Sequence, residues 1–304
     1  MEESPPRHCF RPGLHKEVDL LNIGIRLHDT APGTLEERLG YAKQQGFSCI
    51  HLALHKTEPG FTMDHAPELL TDALAARLQK GFSENGLSCA VLGCYLNLAD
   101  PDPAERERLR TIYRAHLRFA PKMNALLVGT ETHAAKNSQF AEPAWESEEA
   151  FQLFMEGLRP IVRDAEEADA LLAVEPVHDH IISTVDRAVR MLEMVPSDHL
   201  RIILDPVNLI SPEIAQAGQA DAVIEDAIRR LGDKVCVLHM KDYVVIPGKP
   251  KVHSQACGTG VMHYETLLRF AMEKQLPMTL EDTTPENAEQ ARLHLEEVAA
   301  RIKA

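Results

Sequence analysis

Leu171-Leu172-Ala173-Val174-Glu175 and, after a stretch with helical spacing, Ile202-Ile203-Leu204-Asp205 decide how this chain is read. Each is a short apolar run that ends on a carboxylate. A strand in a parallel sheet reads as a continuous apolar run, because helices cover both faces of the sheet. A polar residue at its end leaves the sheet at the carboxyl edge, where α/β proteins build their sites. The pattern recurs in Val235-Cys236-Val237-Leu238-His239 and in Met278-Thr279-Leu280-Glu281.

Working outward, the same alternation extends to the N-terminal half. Strands are expected over 21–25, 47–54, 87–95, 124–129, 170–175, 200–205, 234–239 and 277–281. Between them lie helix signals. Thr34 with Glu37 forms a capping box, Gly86 ends a helix from about Pro67 to Asn85, and Asp102-Pro103 opens one running to about Ala120. Further helices start at Ser147, near Thr184 and near Gln219, after Tyr264, and at Pro285. Eight strand–helix units of this length predict an α/β protein, a single (β/α)8 TIM barrel spanning 20–304, with residues 1–19 as a loose Pro-rich arm. A doubly wound sheet would want a glycine-rich first turn for a nucleotide. The first turn is Arg26-Leu27-His28-Asp29-Thr30, without that fingerprint. Two connections, 131–146 and 243–260, exceed what the topology needs and are candidate lids.

The totals exclude several classes of function. A net charge of −14 over 304 residues argues against a nucleic-acid partner. No apolar stretch approaches a membrane span, and Met1-Glu2-Glu3-Ser4-Pro5-Pro6 lacks the apolar core of a signal peptide. The six cysteines contain no CxxC pair and three lie in expected strands, so they read as reduced thiols of a cytoplasmic protein.

Glu175, Asp205, His239 and Glu281 end consecutive strands, so a barrel brings them together on one rim. Three carboxylates and an imidazole, with no thiolate, suit a divalent cation: Mn²⁺ first, with Co²⁺, Mg²⁺ or Zn²⁺ as alternatives. Four protein ligands leave two positions on a six-coordinate ion, enough to chelate neighbouring hydroxyl and carbonyl oxygens of a sugar. Such an ion polarises the carbonyl and acidifies the adjacent C–H. Glu175 and Glu281, at opposite ends of the quartet, could reach opposite faces of that carbon as acid and base.

Leu-Ala-Val-Glu-Pro (172–176), Ile-Leu-Asp-Pro-Val-Asn (203–208), Leu-His-Met-Lys-Asp (238–242), Gly-Thr-Gly-Val-Met (258–262) and Thr-Leu-Glu-Asp (279–282) resemble the xylose isomerase-like TIM-barrel superfamily. Within it, the likeness is to the sugar phosphate isomerase/epimerase group, including ketose 3-epimerases. The resemblance implies that Glu175, Asp205, His239 and Glu281 are metal ligands, that Glu175 and Glu281 transfer protons, and that the protein is a dimer or tetramer. Two positions depart from the pattern. Asn208 stands where these epimerases carry a substrate-contacting histidine, and Val245 where they carry an arginine.

Further candidates for substrate contact are His178 (with His180) after strand five, Lys241 (with Asp242) after the metal histidine, Glu131 and His133 after strand four, His55 after strand two and Asn97 after strand three. His51 reads as a satisfied histidine inside the barrel, and Lys249, Lys251 and His253 as a solvated loop rather than a phosphate site. The expected function is a metal-dependent isomerase or epimerase of a small sugar or sugar derivative. The alternative is a lyase or decarboxylase that breaks a bond beside the same enediolate. An endonuclease on this barrel would need more metal ligands and a basic groove.

Overall fold

The computed structural model describes residues 21–132 and 143–303. The expected arm at 1–19, His133 and most of the first long connection lie outside them. The strands are β1 (Ile23–Arg26), β2 (Cys49–Leu52), β3 (Ser88–Gly93), β4 (Leu127–Glu131), β5 (Leu172–Glu175), β6 (Leu200–Leu204), β7 (Val235–Met240), β8 (Asp242–Val244), β9 (His253–Gln255) and β10 (Met278–Leu280). Strands β1 to β7 pair in sequence order and β10 closes the ring between β7 and β1, all in parallel. The fold is a (β/α)8 TIM barrel.

Several expected local signals are realised. Thr34 Oγ1 accepts from the Glu37 amide while Glu37 Oε2 accepts from the Thr34 amide, closing the capping box. Gly86 ends its helix with φ of 64°, a left-handed conformation that favours glycine. Several boundaries differ. The helix expected over 67–85 is two pieces, Ala66–Leu69 and Asp72–Asn85, because Thr71 caps the second by accepting from the Leu74 amide. The fourth strand begins later, at Leu127, after Asn124 takes a left-handed turn. The last helix begins at Ala288, beyond Pro285.

The second long connection is not an open lid. It folds into a hairpin in which β8 and β9 pair antiparallel. Asp242 holds the hairpin down: its Oδ1 accepts from the Tyr243 and Met262 amides at 2.8 and 2.9 Å, and Oδ2 from the Gly258 amide at 3.0 Å. Asp242 is therefore a structural residue rather than a reactive one.

Two buried layers hold the barrel together. Helices pack on the outside of the strands through residues such as Leu39, Phe82, Tyr113, Phe154 and Leu158. A separate cluster of Cys49, Val91, Leu127, Ala173, Ile203 and Val237 fills the interior. Strand side chains alternate between the two faces, so Ala173, Ile203 and Val237 place Glu175, Asp205 and His239, two residues on, inside the mouth. Cys49, Cys89, Cys94 and Cys257 are buried free thiols, and the expectation of reduced thiols is met at these four.

The β1–β2 contact leaves no space for a side chain at Gly24, where an added Cβ would collide with the Cys49 carbonyl. Gly24→Ala should therefore lower stability by about 1–3 kcal/mol, the usual cost of overpacking. Chemical denaturation of the purified variant checks this, and an unchanged midpoint would contradict the tight β1–β2 seam.

Candidate metal centre

Glu175 ends β5, Asp205 follows β6, His239 lies near the end of β7 and Glu281 follows β10. All four side chains are buried. His239 Nδ1 lies between two carboxylates, 3.0 Å from Glu175 Oε2 and 3.2 Å from Glu281 Oε1. Ligand atoms of Glu175, Asp205 and His239 all fall within 4.8 Å of one another, as do those of His51, His239 and Glu281. These contacts do not satisfy the groups. Glu175 Oε2 and both ring nitrogens of His239 are buried without a hydrogen-bond partner among the described residues. Buried polar atoms are normally paired. Unpaired ones that converge on a common point fit a divalent cation bound among them.

The neighbours aim these atoms. The Asn208 side chain donates to Glu175 Oε1 at 2.6 Å, and its backbone amide donates to Asp205 Oδ1 at 3.1 Å. With Oε1 engaged, Glu175 presents Oε2 to the centre. Asn208 thus orients two quartet carboxylates, a role in addition to the substrate contact expected at this position. Lys241 Nζ sits 2.9 Å from Asp205 Oδ2 and 3.2 Å from Glu281 Oε2. Arg26 Nη1 approaches the same Glu281 oxygen at 3.6 Å, while Arg26 also pairs with Asp29 at 2.8 Å and Asp282 at 3.2 Å. Glu131 is aligned with Glu175 across the β4–β5 ladder.

The charge set suits a bound cation. Burial penalises the charged form of every group here. Burial lifts Asp205 to about 7 although Lys241 opposes the rise. Burial and the nearby Glu175 and Glu281 lift Glu131 to about 8, so it carries a proton at neutral pH. For Glu281, burial is outweighed by His239, Lys241 and Arg26, which hold the carboxyl well below its usual range. Burial alone would make His239 less basic, but Glu175 and Glu281 raise it to about 9. In the protein alone, the imidazole holds a proton that a metal ion would displace.

Other expected residues are less central. Asn97 accepts from the Ala99 amide and shapes its turn. His55 is exposed in the short helix Leu54–Thr57. The His178 amide donates to the Asn208 carbonyl at 2.7 Å, which brings its loop against the quartet. His180 Nδ1 lies 3.8 Å from Glu131 Oε2. Lys251 pairs with Asp179.

His51 corrects an expectation. Its Nε2 shares a hydrogen bond with Tyr95 Oη at 3.0 Å, but Nδ1 is buried without a partner among the described residues, and the ring stacks on His239 with centroids 5.1 Å apart. It belongs to the site wall. It stands on β2 in register with Arg26 on β1, a pairing that only the folded sheet shows. Both residues face the mouth, and the strand-end pattern that revealed the quartet passes over them.

A parallel barrel whose mouth gathers three carboxylates and an imidazole defines a class: TIM barrels with a candidate divalent-cation centre at the carboxyl edge. The sequence profile described as "Xylose isomerase-like TIM barrel" matches residues 39–299, and the chain belongs to this family. The D-psicose 3-epimerase of Enterocloster bolteae is 30% identical over 96 residues, which cover 30% of this chain and 29% of that protein. The chain thus matches less than a third of the length of this relative. Among solved structures, a D-tagatose 3-epimerase-like protein superposes with a TM-score of 0.72 at 13% identity, over 93% of this chain and 98% of that one. A structure described as IOLI protein with a binding zinc atom gives a TM-score of 0.68 at 17% identity, over 93% and 98% of the two chains.

Metal binding should release the His239 proton, so between about pH 7, above which Asp205 is ionised, and about pH 9 apparent affinity should rise with pH, by about tenfold per unit for one proton. Calorimetric titration of Mn²⁺ into chelator-treated protein, repeated in buffers of different ionisation enthalpy, measures both the slope and the proton count. In Asp205→Asn, stoichiometric metal should be lost by elemental analysis. Retention of one equivalent would remove Asp205 from the ligand set.

Proposed function

We propose that this protein is a divalent-metal-dependent epimerase or isomerase of a small ketose or related sugar. The carrying observation is the position of Glu175 and Glu281, buried on either side of His239 at 3.0 and 3.2 Å. The partial likeness to a D-psicose 3-epimerase and the 3-epimerase-like fold neighbour support the same reading.

Glu175, Asp205, His239 and Glu281 would hold the ion, Mn²⁺ first among the candidates. When bound, it would supply Lewis acidity to adjacent hydroxyl and carbonyl oxygens of the substrate. The protein's residues do the rest. One of Glu175 and Glu281 takes the proton from the carbon beside the carbonyl, and the other returns one from the opposite face, inverting the centre. Lys241, between Asp205 and Glu281, is placed to donate a hydrogen bond to an oxygen that gains charge. Glu131, aligned with Glu175 across the β4–β5 ladder, is placed to hydrogen-bond a substrate hydroxyl, and His178 and His55 are further candidates for substrate contact.

A lyase on the same site is the second reading. Lys241 favours it, because a buried ammonium can protonate a leaving oxygen that an epimerase never releases. Incubation of a ketose panel in deuterated water separates the two. An epimerase yields a labelled sugar of unchanged composition, and a lyase yields two fragments.

Glu175→Gln and Glu281→Gln should each lower kcat by about 10²–10⁴-fold, the range of general acid–base contributions. Each variant should still bind sugar. Solvent deuterium exchange that persists at the wild-type rate in either variant would refute its role.

A further inference from the structure

Glu281 lies one residue beyond β10, a strand of only three residues, and its amide still donates to the Met240 carbonyl at 3.0 Å. The next residue, Asp282, leaves the barrel with φ of 52°. Four described residues other than glycine adopt this left-handed conformation. Asn124, Asp169 and Gln275 stand at helix ends, where it is a common way to stop. Asp282 is the one that follows a barrel strand, and it comes directly after a candidate metal ligand. A sparsely populated backbone conformation persists where the surrounding contacts hold it.

Arg26 supplies those contacts. Ile25 pairs with Leu280 across the β1–β10 seam, so Arg26 and Glu281 leave the two strands side by side. The guanidinium uses its three nitrogens separately. Nε donates to Asp29 Oδ2 at 2.8 Å, Nη2 donates to Asp282 Oδ1 at 3.2 Å, and Nη1 lies 3.6 Å from Glu281 Oε2. Asp29 thus anchors the fork to the turn after β1. One arm holds the side chain of the left-handed residue, and the other faces the ligand carboxylate. A rigid planar fork can span three acceptors in this way, whereas the point charge of an ammonium cannot. With three carboxylates around it, the guanidinium is already matched in charge, so its role is towards the chain itself.

We propose that Arg26 is a positioning residue for Glu281. By fixing the left-handed turn at Asp282, it sets where Glu281 presents its carboxylate to a cation held by the quartet. This inference rests on the metal-dependent reading above, and its test also reads the position of Glu281 without metal.

Affinity for Mn²⁺ is measured by calorimetry in wild type, Arg26→Lys, Asp282→Asn and Asp282→Gly, and in each Asp282 variant combined with Arg26→Lys. Both Asp282 substitutions remove the same charge and tolerate a left-handed backbone, but only asparagine keeps an oxygen for Nη2. Asp282→Gly should bind Mn²⁺ about 10-fold more weakly than Asp282→Asn, as expected when a metal ligand loses its outer support. Arg26→Lys, which keeps the charge and loses the fork, should bind about 10-fold more weakly than wild type for the same reason. In its background the difference between asparagine and glycine should vanish. A difference that persists there would come from the freedom of glycine itself and would overturn the proposal. Equal affinities of the two Asp282 variants, or wild-type affinity in Arg26→Lys, would overturn it too. The electron paramagnetic resonance spectrum of bound Mn²⁺ should change in Asp282→Gly and return to the wild-type form in Asp282→Asn. Crystal structures of the metal-free proteins separate this inference from the reading beneath it. In Arg26→Lys and Asp282→Gly, Glu281 Oε1 should leave its place 3.2 Å from His239 Nδ1, and an unmoved carboxylate would refute the positioning role. A shifted Glu281 in a protein whose wild type takes up no Mn²⁺ would sink the metal reading and leave Arg26 as the residue that places Glu281.

Discussion

Three carboxylates share one buried pocket with the His239 imidazole, and much of the barrel mouth is arranged around that repulsion. Like charges in a poorly hydrated site raise one another's energy, and burial adds to it by removing water. The protein offsets this with what it has: a proton on His239, the ammonium of Lys241 and the guanidinium of Arg26. Each is an internal substitute for an external cation. The quartet is thus poised between two ways of balancing the same charge. A divalent ion held by the quartet would take over the charge balance that the His239 proton supplies here.

Closure of the barrel makes this meeting possible. The residues come from β1, β2, β4, β5, β6, β7 and β10, and no local segment could bring them together. Register does the alignment, with Glu131 opposite Glu175 and Thr279 opposite His239. Small residues below the site make space for large ones above it. A Cβ at Gly93 would come within 2.7 Å of the Tyr95 ring, and one at Gly129 within 2.8 Å of Ile203. Tyr95 can therefore reach in to His51, and His51 can lie flat against His239. The functional wall and the packing of the interior are the same set of contacts.

The quartet was legible because each member ends an apolar run, a pattern that period and burial force on any parallel strand. The eightfold repeat and the capping box at Thr34 were legible for the same local reasons. What escaped the sequence depends on distant partners. His51 looks like a core histidine until the β2–β7 geometry brings it over His239. Asn208 looks like a replaced substrate contact until its amide is found on Glu175. The hairpin of β8 and β9 looks like a loop because its anchor, Asp242, works by accepting three backbone N–H groups that only the folded turn presents. Arg26 ends a strand too, but its meaning comes from Glu281, on the far side of the chain's closure.

The two glutamates are not equivalent, and the difference is physical. Glu175 Oε1 accepts from a neutral amide, whereas Glu281 Oε2 faces an ammonium and a guanidinium. A cation stabilises a carboxylate anion far more than an amide dipole does. Glu281 is accordingly held ionised, its carboxyl well below the usual range although burial opposes this. Arg26 and Lys241 impose that difference from opposite sides of the mouth, and Arg26 carries it on to Asp29 and Asp282, so the charge at Glu281 is set by residues that follow the first and the last barrel strands.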